Sequence, residues 1–340
     1  MAIFTTALTA VSRQTDMKPF AFVFPGQGSQ SVGMLDAWGD HPAVIETLKE
    51  ASDALGEDLA KLIREGPKEA LALTTNTQPV MLVAAVAAYR VWMDETGIEP
   101  AAVAGHSLGE YSAMVAAGML TLAQATPLVR FRAQAMQAAV PVGVGAMAAI
   151  LGMDAIKVIA VCEEATRATR VFSAENEAEI VAAVNFNDPA QTVIAGSKAA
   201  VDKACEILKA HGAKRALLLA VSAPFHSSLM QPAAEKLKEK LESVEFAAPR
   251  MALLNNIDVA IEVDAERIRD ALYRQAFGPV RWVECVQGIK ARGITTVVEC
   301  GRGKVLASLV KRIDAEMTGL ALFDPASLLD VKKNLTGESA

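Results

Sequence analysis

At 340 residues the chain is long enough for one large or two modest domains with a sizeable interior. Hydrophobic residues make up 52% of it and aromatics only 5%, so that interior is built from Ala, Val, Leu, Ile and Met. Its 33 Lys and Arg against 39 Asp and Glu leave a net charge of −6 without long single-sign blocks, which argues against a general nucleic-acid binder. No apolar run reaches the roughly 18 to 20 residues that span a bilayer, so no membrane association is expected. Cys162, Cys205, Cys285 and Cys300 are far apart, lack any CxxC pairing, and read as reduced thiols of a cytoplasmic protein.

Residues 1–16, which precede a second methionine at Met17, lack the charged start and apolar core of a secretory signal and read as a disordered extension or an upstream start. The run "AFVFPGQGSQ" (21–30) is a strand that stops at a glycine-containing loop. A helix is expected over 43–55 and a longer one, buried on most sides, over 78–93. "AAVAG" is a strand turning sharply into a helix at "HSLGEYSAMVAAGML", and "TLAQ" offers Thr121 as the N-cap of the next helix with Gln124 as its capping-box partner. Pro127 means that this helix either kinks or starts later.

From 141 to 221 the order reads strand, helix, strand, strand, helix, strand, the pattern of a ferredoxin-like unit, with the last strand over 214–221. Beyond it come a helix over 228–244, a strand at "MALLNN", a helix over 265–276, a β-branched strand over 294–299, the turn "CGRG", and a helix beginning near Lys304.

The first glycine loop fits no phosphate cradle well. Gly26, Gly28 and Gly33 are spaced G-x-G-x-x-x-x-G rather than G-x-G-x-x-G, and the Gly-Lys-Ser/Thr of a nucleotide loop is missing. "GHSLGE" (105–110) is a different matter. G-x-S-x-G between a strand and a helix is a nucleophile elbow, in which Ser107 occupies a strained turn and the N–H of Leu108 faces the oxyanion that forms when the serine attacks a carbonyl.

Of the four histidines, His41 lies in a polar loop, His106 adjoins the serine on a turn that should aim it elsewhere, and His211 sits at a helix end. His226 follows an apolar strand at a Pro-containing loop, the strand-end position where α/β sites are built, and is the best placed base.

"FPGQGSQ", "GHSLGEYSA", "VNFN", "PFHS" and "GKVL", five elements in order from about Met17 to about residue 325, closely resemble the malonyl-CoA:acyl carrier protein transacylase family. The resemblance implies an α/β fold with an α/β-hydrolase-like large domain (17–140 and 222–325, discontinuous), an inserted ferredoxin-like subdomain (141–221) and a C-terminal tail (326–340). It also implies a malonyl transfer from malonyl-CoA to the phosphopantetheine thiol of acyl carrier protein, in fatty acid synthesis, without cofactor or metal.

Carried over by that resemblance, Ser107 is the nucleophile, His226 its general base, and the backbone N–H of Gln27 the second oxyanion donor beside Leu108. Arg132 matches the arginine that pairs with the malonyl carboxylate, a task suited to a guanidinium fork. Arg130, two positions earlier, should face away. Gln275 matches a residue whose backbone carbonyl orients the histidine, so a dyad suffices. Asn185 and Asn187 match a segment near the acyl pocket, and Phe225 is of the type associated with malonyl selection.

The chain departs from the family at Gly301-Arg302-Gly303-Lys304, where many members have Gly-Pro-Gly-Lys. Acyl carrier proteins are acidic, so Lys214, Arg215, Arg302, Lys304, Lys311 and Arg312 are candidates for docking one. A serine hydrolase or thioesterase using the same nucleophile, and a non-catalytic CoA-binding module, are the competing readings.

Overall fold

The structure, a computed structural model, describes residues 17–170 and 179–337. The expected N-terminal extension therefore lies outside the described residues. The architecture is mixed α/β and holds two sheets, one of five parallel strands and one of four antiparallel strands.

β1 (Phe20–Phe24) is the central strand of the parallel sheet, between β2 (Ala102–Gly105) and β8 (Thr296–Cys300). Its five residues are all buried, as a strand covered on both faces must be. The two-residue period splits them: Phe20, Phe22 and Phe24 enter one core, while Ala21 and Val23 enter the other. β7 (Ala252–Leu254) flanks β2, and β9 (Thr318–Leu322) closes the opposite edge beside β8.

On the phenylalanine face pack α4 (Thr74–Thr96), α5 (Gly109–Ala116) and α6 (Leu122–Ala139). The other core takes in α11 (Trp282–Lys290) and α12 (Val305–Ile313). α6 begins at Leu122 under the Thr121–Gln124 capping box and carries Pro127 in its second turn, so the proline does not delay its start.

The antiparallel sheet has the order β4 (Val181–Asp188), β5 (Gln191–Ser197), β3 (Gly145–Leu151), β6 (Arg215–Leu218). α7 (Ala155–Arg170) and α8 (Lys198–Ala210) cover one face, where Ala148, Ile150, Val158, Ile194 and Val201 form a separate core. The opposite face, with Met147 and Val193, joins the core of the parallel half. β3 and β6, through which the chain arrives and leaves, are neighbours, and a Cβ on Gly145 would stand 2.5 Å from Pro224 Cδ. The halves are stitched where Phe186 N–H donates to Val280 O (3.0 Å) and Val280 N–H to Val184 O (2.8 Å).

Three expectations need correction. β6 ends at Leu218 rather than 221: Leu219 N–H makes a last bond to Met147 O at 2.9 Å, and Leu219 and Val221 line a cavity. "MALLNN" is a strand only to Leu254, since Asn255 and Asn256 turn away. Residues 326–340, expected as a tail, contain most of α13 (Pro325–Thr336), which opens on an Asp324–Ser327 capping box and buries Leu328, Val331 and Leu335. That apolar spacing anchors it in the main core, and Lys18 N–H donates to its Leu335 O at 3.1 Å.

Candidate active site

β2 ends at Gly105 and α5 begins at Gly109, leaving His106, Ser107 and Leu108 to reverse the chain. Both glycines are compelled by contact: a Cβ on Gly105 would lie 1.9 Å from Gly109 C, and one on Gly109 would lie 2.0 Å from Phe24 O. Ser107 is held at φ 54 and His226 at φ 65, in the left-handed region that non-glycine residues avoid. Such a backbone costs about 1 to 3 kcal/mol per residue and persists only where the surroundings enforce it. Among the described residues Val259 alone shares that conformation outside glycine.

Ser107 Oγ stands 2.7 Å from His226 Nε2, and His226 Nδ1 stands 2.9 Å from the backbone carbonyl of Gln275. A carbonyl can only accept, so Nδ1 carries the proton and Nε2 is left to accept from the serine. Burial, and next the nearby Arg132 charge, push the His226 pKa down to about 3, so the imidazole is neutral at physiological pH.

Arg132 reaches the same point from α6 and is 2% exposed. It donates to Gln78 Oε1 at 2.8 Å, Gln275 Oε1 at 3.0 Å and Ser107 Oγ at 3.2 Å, and its guanidinium lies over the Tyr111 ring. Each of these hydrogen-bond acceptors is a neutral oxygen. The acid whose charge acts on it, Glu110, is itself pushed up to about 7 by burial, which weakens it as a counter-charge. Arg130, as expected from helix geometry, faces away from the cavity and makes a two-bond fork with Glu57.

Gln275 does more than present its carbonyl. Its side-chain Nε2 donates to Ser107 O at 3.0 Å and to Glu110 Oε2 at 3.2 Å. The opening loop lies opposite: Gly26 sits so close to the elbow that a Cβ would meet His106 O at 2.9 Å, and Ser29 Oγ donates to Arg302 O at 2.6 Å. The backbone N–H groups of Gln27 and Leu108 donate to no acceptor among the described residues, and both residues line the cavity. That cavity holds about 310 Å³.

The antiparallel half supplies the facing wall, with Met147, Ala149, Asn185, Asn187 and Val193. Asn187 Oδ1 lies 2.9 Å from His106 Nε2, so the second histidine is engaged by the wall and not by the serine. Phe225 lines the cavity just before His226. His41, expected in solvent, instead caps α1 (Pro42–Leu55), accepting from Ala43 N–H at 3.2 Å. Of the candidate docking cations, Arg302, Lys304, Lys311 and Arg312 are exposed on and before α12, whose Val305, Leu306 and Leu309 line the cavity. Lys214 and Arg215 stand a strand's length from it, at the far end of β6.

The sequence-predicted site residues thus line one cavity, except Gln275, which stands behind it bonded to His226, Arg132 and Ser107, and the buried partners Gln78, Glu110 and Asn256 are additions. Glu110 lay inside the quoted elbow motif without a role. Gln78 and Asn256 carried no local signal, since each follows another polar residue, Thr77 and Asn255.

A family model described as "Acyl transferase domain" matches residues 21–313. The malonyl CoA-acyl carrier protein transacylase of Haemophilus influenzae is 50% identical over 94% of this chain and 100% of its own. Among solved structures, an acyl-carrier-protein S-malonyltransferase from Burkholderia pseudomallei is 62% identical with a TM-score of 0.89, covering 93% of this chain and 100% of that one. A malonyl-transacylase in complex with its type II PKS acyl-carrier protein is 48% identical, with a TM-score of 0.88 over 93% of this chain and 100% of that one.

Proposed function

The chain belongs to the acyl transferase family, among its malonyl CoA-acyl carrier protein transacylases, and we propose from that premise how its own residues carry out malonyl transfer. The substrate is malonyl-CoA, the acceptor is the phosphopantetheine thiol of an acyl carrier protein, and the product feeds fatty acid synthesis.

The observation that carries this reading is Arg132, a buried cation whose described hydrogen-bond acceptors are all neutral and whose fork ends beside the serine oxygen. A charge kept out of water and without a close counter-ion is expensive unless a ligand supplies one. The malonyl carboxylate supplies it.

In the first half-reaction His226 Nε2 takes the proton from Ser107 Oγ as the oxygen adds to the thioester carbonyl. The Leu108 and Gln27 N–H groups receive the oxyanion, each lowering the barrier by about 2.7 to 4 kcal/mol. The intermediate collapses with cleavage of the C–S bond, and the sulfur leaves with the proton returned by His226. The pantetheine thiol then gives its proton to His226 and attacks the malonyl-serine ester, and the C–O bond breaks as His226 returns that proton to Ser107 Oγ. Proton transfer by the histidine contributes about 10²- to 10⁴-fold.

The strand order of the insert, second-third-first-fourth with both helices on one face, supports a ferredoxin-like subdomain over 141–221. Five parallel strands carrying an elbow support an α/β-hydrolase-like large domain around it. Four buried, unpaired cysteines, and no helix among the described residues long and apolar enough to cross a membrane, support placing the enzyme in the cytoplasm.

The test is intact-protein mass spectrometry after brief mixing with malonyl-CoA. A single malonyl adduct on the wild type, discharged by acyl carrier protein, is expected. Free malonate without carrier-dependent discharge would overturn transfer in favour of hydrolysis.

A further inference from the structure

The ladder between β2 and β7 runs in parallel register as far as Ala104 opposite Leu254. Two steps on, His106 would stand opposite Asn256, but the main chain of Asn256 has already turned away. Its N–H goes to Glu110 Oε2 at 2.9 Å, and its carbonyl accepts from Arg281 N–H at 3.2 Å. The side-chain amide takes over the vacated pairing: Nδ2 donates to Gly105 O at 2.7 Å, and Oδ1 accepts from Ser107 N–H at 2.7 Å. A residue in a parallel strand bonds its neighbour's preceding carbonyl and following N–H in the same way. The orientation of the amide follows from its partners, because the flipped form would set donor against donor.

We infer that Asn256 is a positioning residue that extends the sheet under the nucleophile with its side chain and so locks the elbow. The inference rests on the reading of Ser107 as the acylated nucleophile. Asn256 is fully buried, and its amide grips the turn on both sides of His106. With Gln275 Nε2 on the Ser107 carbonyl, both main-chain polar groups of the serine are fixed by side chains. The grip also withdraws the Ser107 N–H from the cleft, so the Leu108 N–H, one residue on, remains to meet the oxyanion. Aspartate keeps the acceptor and loses the donor, and alanine loses both.

Rapid-mixing mass spectrometry of malonyl-adduct formation on wild type, Asn256→Ala and Asn256→Asp separates this role from a structural one. If the wild type itself forms no adduct, it is the nucleophile assignment that fails. Given a wild-type adduct, the maximal acylation rate of Asn256→Ala should fall about 100-fold, the order of loss expected from a misplaced reacting group. Asn256→Asp should fall less, and the malonyl-CoA concentration giving half the maximal rate should stay within about twofold, as uniform binding is untouched. A residue serving folding alone would reduce the amount of active protein and leave the rate constant of the folded fraction unchanged, and that result overturns the inference. If neither variant folds, amide hydrogen exchange in the wild type decides. The Ser107 amide should exchange about 100-fold or more slowly than that of Leu108, and equal rates overturn the inference.

Discussion

The two halves of the molecule meet at one cavity but contribute different things to it. From the parallel half come Ser107, His226, Arg132 and the Gln275 and Glu110 that tie them together by hydrogen bonds, the set to which the proposed mechanism gives bond-making and charge-handling. The antiparallel half contributes Met147, Ala149, Asn185, Asn187 and Val193, a wall of apolar and amide groups without a charge among them. On the proposed mechanism, chemistry is built on strands whose ends are fixed by close backbone contacts, and the shape of the acyl pocket is delegated to a separate sheet with its own core. The difference teaches that a demanding geometry can sit on one rigid layer while the facing layer sets what fits.

The sharpest way to break this division is Ser107→Ala. It should abolish the malonyl adduct and lower turnover by about 10⁴-fold or more, since residues acting as a unit fail together. Residual adduct in that variant would place the nucleophile elsewhere. Arg132→Ala comes next: malonyl transfer should fall by about 10²-fold while acetyl transfer changes little, because only malonyl brings a carboxylate to the fork. Equal losses in parallel assays with both CoA esters would remove the carboxylate-reading role.

A third prediction concerns pH. His226 acts as a base only when neutral, and its pKa lies near 3, so its acid limb falls far below the ordinary range. Acylation should hold as pH drops from 7 to 5, where an ordinary histidine of pKa about 6.5 would leave only about one thirtieth of the sites neutral. The profile should be recorded for wild type and Glu110→Gln, so that Glu110, at about 7, cannot be mistaken for the base. A limb near 6.5 in both would mean that water reaches the imidazole.

The smallest effect belongs to the wall. Asn187→Ala frees His106 of one hydrogen bond, worth about 1 kcal/mol or roughly fivefold, and should appear in kcat/KM for malonyl-CoA. A loss as large as that of Arg132→Ala would show that the wall takes part in the chemistry.

Much of this was legible in the chain. The strand β1 announces itself as an unbroken apolar run because both its faces are covered, and β8 by the β-branched residues that lead into it. The Thr121–Gln124 cap was readable because its partners lie three residues apart. The elbow was readable because close backbone approach demands glycine at 105 and 109. Arg132 was identified by resemblance, since an arginine on a helix has no local mark of burial.

What escaped has a common physical reason. Glu110 bonds Asn256 across 146 residues and Gln275 across 165, so no periodicity in either segment records the pairing. β9 and α13 were overlooked for a related cause. β9 is an edge strand with half-open residues, and its short alternation is not separable from a loop until the sheet is there to receive it.

Neighbouring β3 and β6 bring both of the insert's connections to one spot, with Gly145 packed against the Pro224 ring. The four-stranded half is therefore a cassette in its covalent connections, which share one place, while its further contacts, at Val280 and His106, are non-covalent. Residues 141–221 can be exchanged for the equivalent stretch of another acyltransferase without cutting any strand of the sheet that carries the elbow. Preference set by the wall will travel with the graft, while preference set by Arg132 and Phe225 will stay with the recipient.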